Sequence, residues 1–192
     1  ALRIGNDGGS VGIMNLESGT VVVSNNGAVF AGTENNIGHG GGIATLNISG
    51  GSLSVSNGLR LGNESGGNGT LTLSGTGALN VADELIVGRE SGTGVLNVNG
   101  GTITTSGNGN MYIGRRNGTG TLNQSNGVIS VIYEFGVGTR DDNKIGTGTY
   151  NLSGGTLSAG RNIFIGKEQG SSGTMDMTGG TMSTSDKLQI GH

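Results

Sequence analysis

The chain has 192 residues, with 44 glycines, no proline and no cysteine; aromatic residues make up 3% and charged ones 12%. A net charge of -3 leaves no electrostatic footprint for nucleic acid or anionic lipid, and the lack of cysteine excludes a disulfide framework and thiolate metal sites. No apolar run approaches the ~20 residues that span a bilayer, and the glycines recur with a period, unlike those of Gly-rich disordered chains.

Taken in order, an apolar-x-apolar-Gly run ends at Gly5, Gly32, Gly62, Gly88, Gly114, Gly138, Gly166 and Gly191, at intervals of 27, 30, 26, 26, 24, 28 and 25 residues. A period in this range marks a solenoid, propeller or array. Each unit holds three short runs of alternating apolar and polar residues. In one unit these are Leu85-Ile86-Val87, Leu96-Asn97-Val98 and Ile103-Thr104-Thr105. Alternation with period two predicts strands with one buried face. Propeller blades need about 40 residues and helical repeats a 3.6-residue period, so neither fits. The pattern predicts an all-β fold: a parallel β-solenoid of three sheets and about seven coils, spanning residues 1–192 as one domain.

The inward columns follow from the alternation. The first strands contribute Leu2/Ile4, Val29/Ala31, Leu59/Leu61, Leu85/Val87, Met111/Ile113, Phe135/Val137, Ile163/Ile165 and Leu188/Ile190. The second contribute Met14/Leu16, Leu46/Ile48, Leu71/Leu73, Leu96/Val98, Leu122/Gln124, Tyr150/Leu152 and Met175/Met177. The third run from Val21/Val23 through Ile103/Thr105 to Met182/Thr184. Each fully buried side chain contributes about 1.5–3 kcal/mol against a backbone cost of about 1–2 kcal/mol per ordered residue. A single coil therefore cannot fold alone, and stability comes from stacking. Absent proline fits strands that donate to neighbours on both sides. Gln124 is the one amide in an inward column; buried, it is expected to bond to backbone or trapped water, or to distort its coil.

Leu46-Asn47-Ile48-Ser49-Gly50-Gly51-Ser52-Leu53 returns as Tyr150-Asn151-Leu152-Ser153-Gly154-Gly155-Thr156-Leu157. This unit resembles the short β-strand repeats of type V autotransporter passengers and of PEP-CTERM-associated bacterial surface proteins. The resemblance covers essentially the whole chain and implies a right-handed parallel β-helix exported to the surface of a Gram-negative-type bacterium. The start at Ala1 without a signal peptide reads as a mature or excised piece of something longer.

Four sets of residues are candidates for a role beyond the core. Asn15, Asn47, Asn97, Asn123 and Asn151, with Thr72 and Asp176, form one outward column, and stacked amides bond along the axis as a structural ladder. Thr20, Ser52, Thr102, Thr156 and Thr181 beside Ser54, Thr104, Ser130, Ser158 and Ser183 form a hydroxyl array of the kind that holds ordered water on ice-binding solenoids; Ala78, Val128, Val22 and Asn80 interrupt it. Charges follow the motif glycines, and Asp141-Asp142-Asn143 is a calcium candidate. The outward column of the first strands, with Phe30, Ile86, Tyr112 and Phe164, is expected to form an exposed apolar stripe for lateral packing or sugar stacking.

His39 and His192 stand apart, so neither a zinc site nor a Ser-His-Asp triad assembles. No catalytic residue, cofactor or metal is expected. The expected function is structural: an extracellular or cell-surface stalk, fibre or filament segment that self-associates end to end and laterally. The alternatives are a glycan- or surface-binding adhesin module and, behind it, a polysaccharide-active β-helix enzyme or an ice-binding protein. The matching phase of Leu2-Arg3-Ile4-Gly5 and Leu188-Gln189-Ile190-Gly191 is the basis for the end-to-end contact.

Overall fold

The computed structural model describes residues 1–24 and 35–191. Its strands stack in three parallel rows, and the described residues contain no helix. The first row runs from Arg3–Ile4 through Asn35–His39, Leu59–Asn63, Leu85–Arg89, Met111–Arg115, Phe135–Asp141 and Ile163–Ile165 to Leu188–Ile190. The second row runs from Val11–Leu16 to Ser172–Met177 and the third from Thr20–Val23 to Thr181–Thr184. Two long strands, Thr93–Thr105 and Thr119–Val131, each belong to both of these rows and join them into one hydrogen-bonded sheet. The molecule is an all-β parallel solenoid of about six turns.

Stacking keeps like residues in register because a one-residue slip would turn every apolar side chain outward. Leu46, Leu71, Leu96, Leu122, Tyr150 and Met175 follow one another up the second row. The inward columns form a single core, in which Leu46, Leu71, Leu96 and Leu122 are wholly buried. Tyr150 fills the same column with a ring, edge-on to Phe135 at 5.3 Å between centroids.

The second unit departs from the sequence reading. Ile4 pairs with Ile37, and Ile37 pairs with Leu61, so Asn35-Asn36-Ile37-Gly38 occupies the rung expected for Val29, Phe30, Ala31 and Gly32. Those four residues lie outside the described ones. Asn35 points inward and is wholly buried, which pattern matching disfavours. Backbone satisfies it: its Oδ1 accepts the Leu2 N–H at 2.7 Å and its Nδ2 donates to the Gly58 carbonyl at 3.2 Å. Thr105 solves the same problem by bonding Gly109 O at 2.9 Å and the Ile132 N–H at 3.0 Å.

Gln124 points inward, 1% exposed. Its Nε2 donates to the carbonyls of Gly127 at 3.3 Å and Thr156 at 3.1 Å. The coil is also distorted beside it: the register with the strand below shifts between Val98 and Asn99, and again before Thr102. Both expected ways of accommodating a buried amide are therefore used together.

One insertion leaves the stack. Phe135–Asp141 turns back on Lys144–Ile145 as an antiparallel hairpin, with Asp142 and Asn143 at positive φ in its turn.

Candidate functional site

Ion pairs join residues of the first row and of the turns on either side of that row. Its central column was expected to face solvent, and in the structure it does not. Ile86, Tyr112 and Phe164 are 1%, 8% and 4% exposed, yet they lie outside the inner core cluster. Long cations from the column just past the motif glycine lie across the two rings. The Arg115 guanidinium sits 4.4 Å from the Tyr112 ring centroid, and the Lys167 ammonium 4.3 Å from that of Phe164. Such contacts are attractive and bury the aliphatic stems as well. The apolar stripe is thus an outer layer sealed by the protein's own charges, and Phe30, the fourth residue expected in it, lies outside the described residues.

Arg115 is held in place from both sides. Its Nη1 donates to both Glu84 oxygens at 2.9 Å, and its Nη2 lies 3.1 Å from Asp141 Oδ2. Burial acts to lower its pKa, but Glu84 and its other partners outweigh that and raise it. Arg60, two rungs below Tyr112 in the same column, is lowered to about 10 by burial and by the adjacent Arg89. Arg116 reaches Glu90 at 3.5 Å and also pairs with Asp141 and Asp142. The carboxylates considered for calcium are therefore engaged by arginines, and no group of three or more potential ligand side chains gathers among the described residues.

Asp83 lies on the edge of this face. Burial and the neighbouring Glu84 raise its pKa. A carboxyl whose folded pKa is raised costs stability once ionised, and the cost disappears as pH falls through that pKa. Asp83→Asn is therefore expected to raise the Tm by about 1–3 °C at pH 7. The gain should vanish near pH ~3, where both states are protonated. Scanning calorimetry at both pH values checks this, and an equal gain at both would assign the effect to something other than charge.

The asparagine column on the second row forms direct bonds. Asn47 Nδ2 donates to Asn15 Oδ1 at 2.8 Å, Asn123 to Asn97 at 2.9 Å and Asn151 to Asn123 at 2.8 Å. Thr72 stands between Asn47 and Asn97 in register and divides the run. These amides spend bonding capacity on each other along the axis.

The corner that leads from the third row into the first holds a different arrangement. Here Tyr133 N–H donates to Gly109 O, and Arg161 N–H donates to Tyr133 O, so the three residues are stacked on consecutive rungs. A depression of about 420 Å³ opens here, lined by Asn108, Asn110, Tyr133, Glu134 and Arg161. The Arg161 guanidinium lies 4.6 Å from the Tyr133 ring centroid. Asn110 is locked, its Oδ1 accepting the Glu134 N–H at 3.1 Å and its Nδ2 donating to Asn108 O at 3.4 Å. Glu134 is engaged too, taking Asn162 Nδ2 at 3.2 Å and Lys167 Nζ at 3.4 Å. The sequence reading missed this group because Asn108, Tyr133 and Arg161 are separated by 25 and 28 residues. Counting back one and two positions from each first-row strand would have aligned Asp83-Glu84, Tyr133-Glu134 and Arg161-Asn162.

No family model, no curated protein and no solved structure matches this chain.

Proposed function

We propose that this chain is a structural segment of an extracellular or bacterial cell-surface β-solenoid, a stalk or filament piece whose end rungs stack against further solenoid turns. The observation that carries this reading is the state of the last rung. Met177, Leu188 and Ile190 are 48%, 50% and 76% exposed. Their register partners one rung below, Leu152, Ile163 and Ile165, are 1%, 1% and 3% exposed. The inward columns thus stay apolar up to the last described rung, and an apolar strand edge of that kind pairs with a further strand, whether of the same chain or of a second copy. A second copy docking by its Leu2-Ile4 edge would extend both the columns and the ladder. A head-to-tail contact of that kind does not close and builds a fibre. The likeness of the repeat unit to those of autotransporter passengers and PEP-CTERM-associated proteins supports placement at a bacterial surface. No catalytic role is proposed.

Sedimentation velocity over a concentration series, with electron microscopy of the largest species, tests the reading. Association into linear assemblies is expected, and Leu188→Asp with Ile190→Asp should return monomers whose β-type circular dichroism is intact. A wild-type chain that stays monomeric at high concentration, or linear assemblies that survive both substitutions, would overturn the end-to-end contact.

A further inference from the structure

We infer that the corner depression is a binding site for a single carboxylated sugar residue of an acidic polysaccharide. The inference rests on which groups in it are already used and which remain free. Asn110 and the Glu134 carboxylate are each tied to neighbours through both of their polar atoms. The side chains of Arg161 and Asn108 and the Tyr133 hydroxyl make no hydrogen bond or ion pair with any other described residue. What the depression offers a ligand is therefore one guanidinium fork, one amide and one phenol. Arg161 is held against the Tyr133 ring, so part of the entropy of ordering it is already spent before a ligand arrives.

A planar five-donor fork matches a carboxylate bidentately. The amide and hydroxyl beside it suit the hydroxyls of a sugar ring, and the volume accommodates one or two such rings. Lys167 pairs with Glu134 at 3.4 Å, and among the residues lining the depression Arg161 is the cation that has no carboxylate partner. The protein as a whole carries a net -3, so its overall field does not attract a polyanion. The site reads one charged ring within a chain, bound weakly and with marked sensitivity to salt. A solenoid fixed at a cell surface would present many copies of such a site, where avidity makes weak contacts sufficient.

The experiment is a titration of the folded 192-residue chain with trigalacturonate, followed by amide chemical shifts, against its methyl ester on the same scaffold and a sulfated neutral trisaccharide. Trigalacturonate is expected to shift resonances around Tyr133 and Arg161, and the methyl ester to bind at least about tenfold more weakly. Arg161→Gln should lose about tenfold or more, and Tyr133→Phe, which keeps the ring and the fold, about threefold. Arg140→Gln removes a cation on the distant hairpin and should change nothing. The inference is overturned if the methyl ester binds as well as the acid, or if Arg140→Gln weakens binding as much as Arg161→Gln. It is equally overturned if the sulfated sugar binds ten times more tightly than the uronate, or if nothing binds up to about 10 mM. Should Arg161→Gln fail to fold, the shift map of the wild type and the Tyr133→Phe variant still decide.

Discussion

Alanine at Gly114 is expected to destabilise the protein by about 4 kcal/mol or more, whereas alanine at Gly166, the same place in the repeat two rungs on, should cost only about 1–2 kcal/mol. Both glycines have positive φ, 72° at Gly114 and 67° at Gly166, so both variants incur the left-handed penalty. Only Gly114 has a rung packed against it. A Cβ there would lie 1.9 Å from the Thr147 carbonyl oxygen, 2.2 Å from its carbon and 2.8 Å from Gly148 N. All three are backbone atoms of the next second-row strand, and none can move aside without opening the ladder in which Thr147 N–H donates to Gly118 O. At Gly166 the nearest atoms would be 3.6 and 3.8 Å away, in ordinary contact. The comparison holds conformation constant and varies only the close approach. Urea unfolding of the two variants measures it, and similar midpoints would mean that the rungs are not interlocked through this glycine.

That interlock explains why the repeat was so legible. The motif glycine is required by backbone geometry, and it recurs wherever the chain turns from the first row into the second. Alternation then assigns the inward side chains, and Leu46, Leu71, Leu96 and Leu122 stand where the pattern puts them. The second unit was misplaced for a physical reason. Val29-Phe30-Ala31-Gly32 is the better apolar match, while the rung is formed by Asn35-Asn36-Ile37-Gly38, whose inward amide is satisfied by backbone from the rungs on either side. Spacing held the better signal: five residues separate Gly88 from Thr93 and Gly114 from Thr119, five separate Gly38 from Ile43, and eleven would separate Gly32 from it. The outer stripe failed differently. Alternation reports the side of a strand a residue occupies and is silent on what lies over that side. Arg115 and Lys167, three residues beyond Tyr112 and Phe164, fold back across them. The corner depression was least legible of all, since Asn108, Tyr133 and Arg161 become neighbours only once three rungs are in register.

Gln124→Leu is expected to cost about 2–3 kcal/mol even though it places an apolar residue in an apolar column. The cause is the rung above. Tyr150 is wholly buried, and its hydroxyl donates to Gln124 Oε1 at 2.7 Å. Burial raises the pKa of that phenol, so it remains a donor throughout the neutral range and needs an acceptor. Leucine at 124 would leave the hydroxyl without one, and would also strip a donor from the carbonyls of Gly127 and Thr156. Tyr150→Phe alone removes the donor, keeps the edge-on contact with Phe135 and should cost about 1 kcal/mol. The two changes together remove both ends of the bond. The double variant should therefore be more stable than the sum of the single losses implies, with a coupling of about 1 kcal/mol or more. Thermal and urea unfolding of the four proteins provide the cycle, and strictly additive losses would show that the two side chains do not act as a pair. A positive coupling would mean that the irregular stretch after Gln124, where the register slips at Asn99, is held by a polar link inside the core. The distortion would then be a specified feature of this rung, joining one coil to the next where aliphatic stacking alone would leave the bulge without a defined partner.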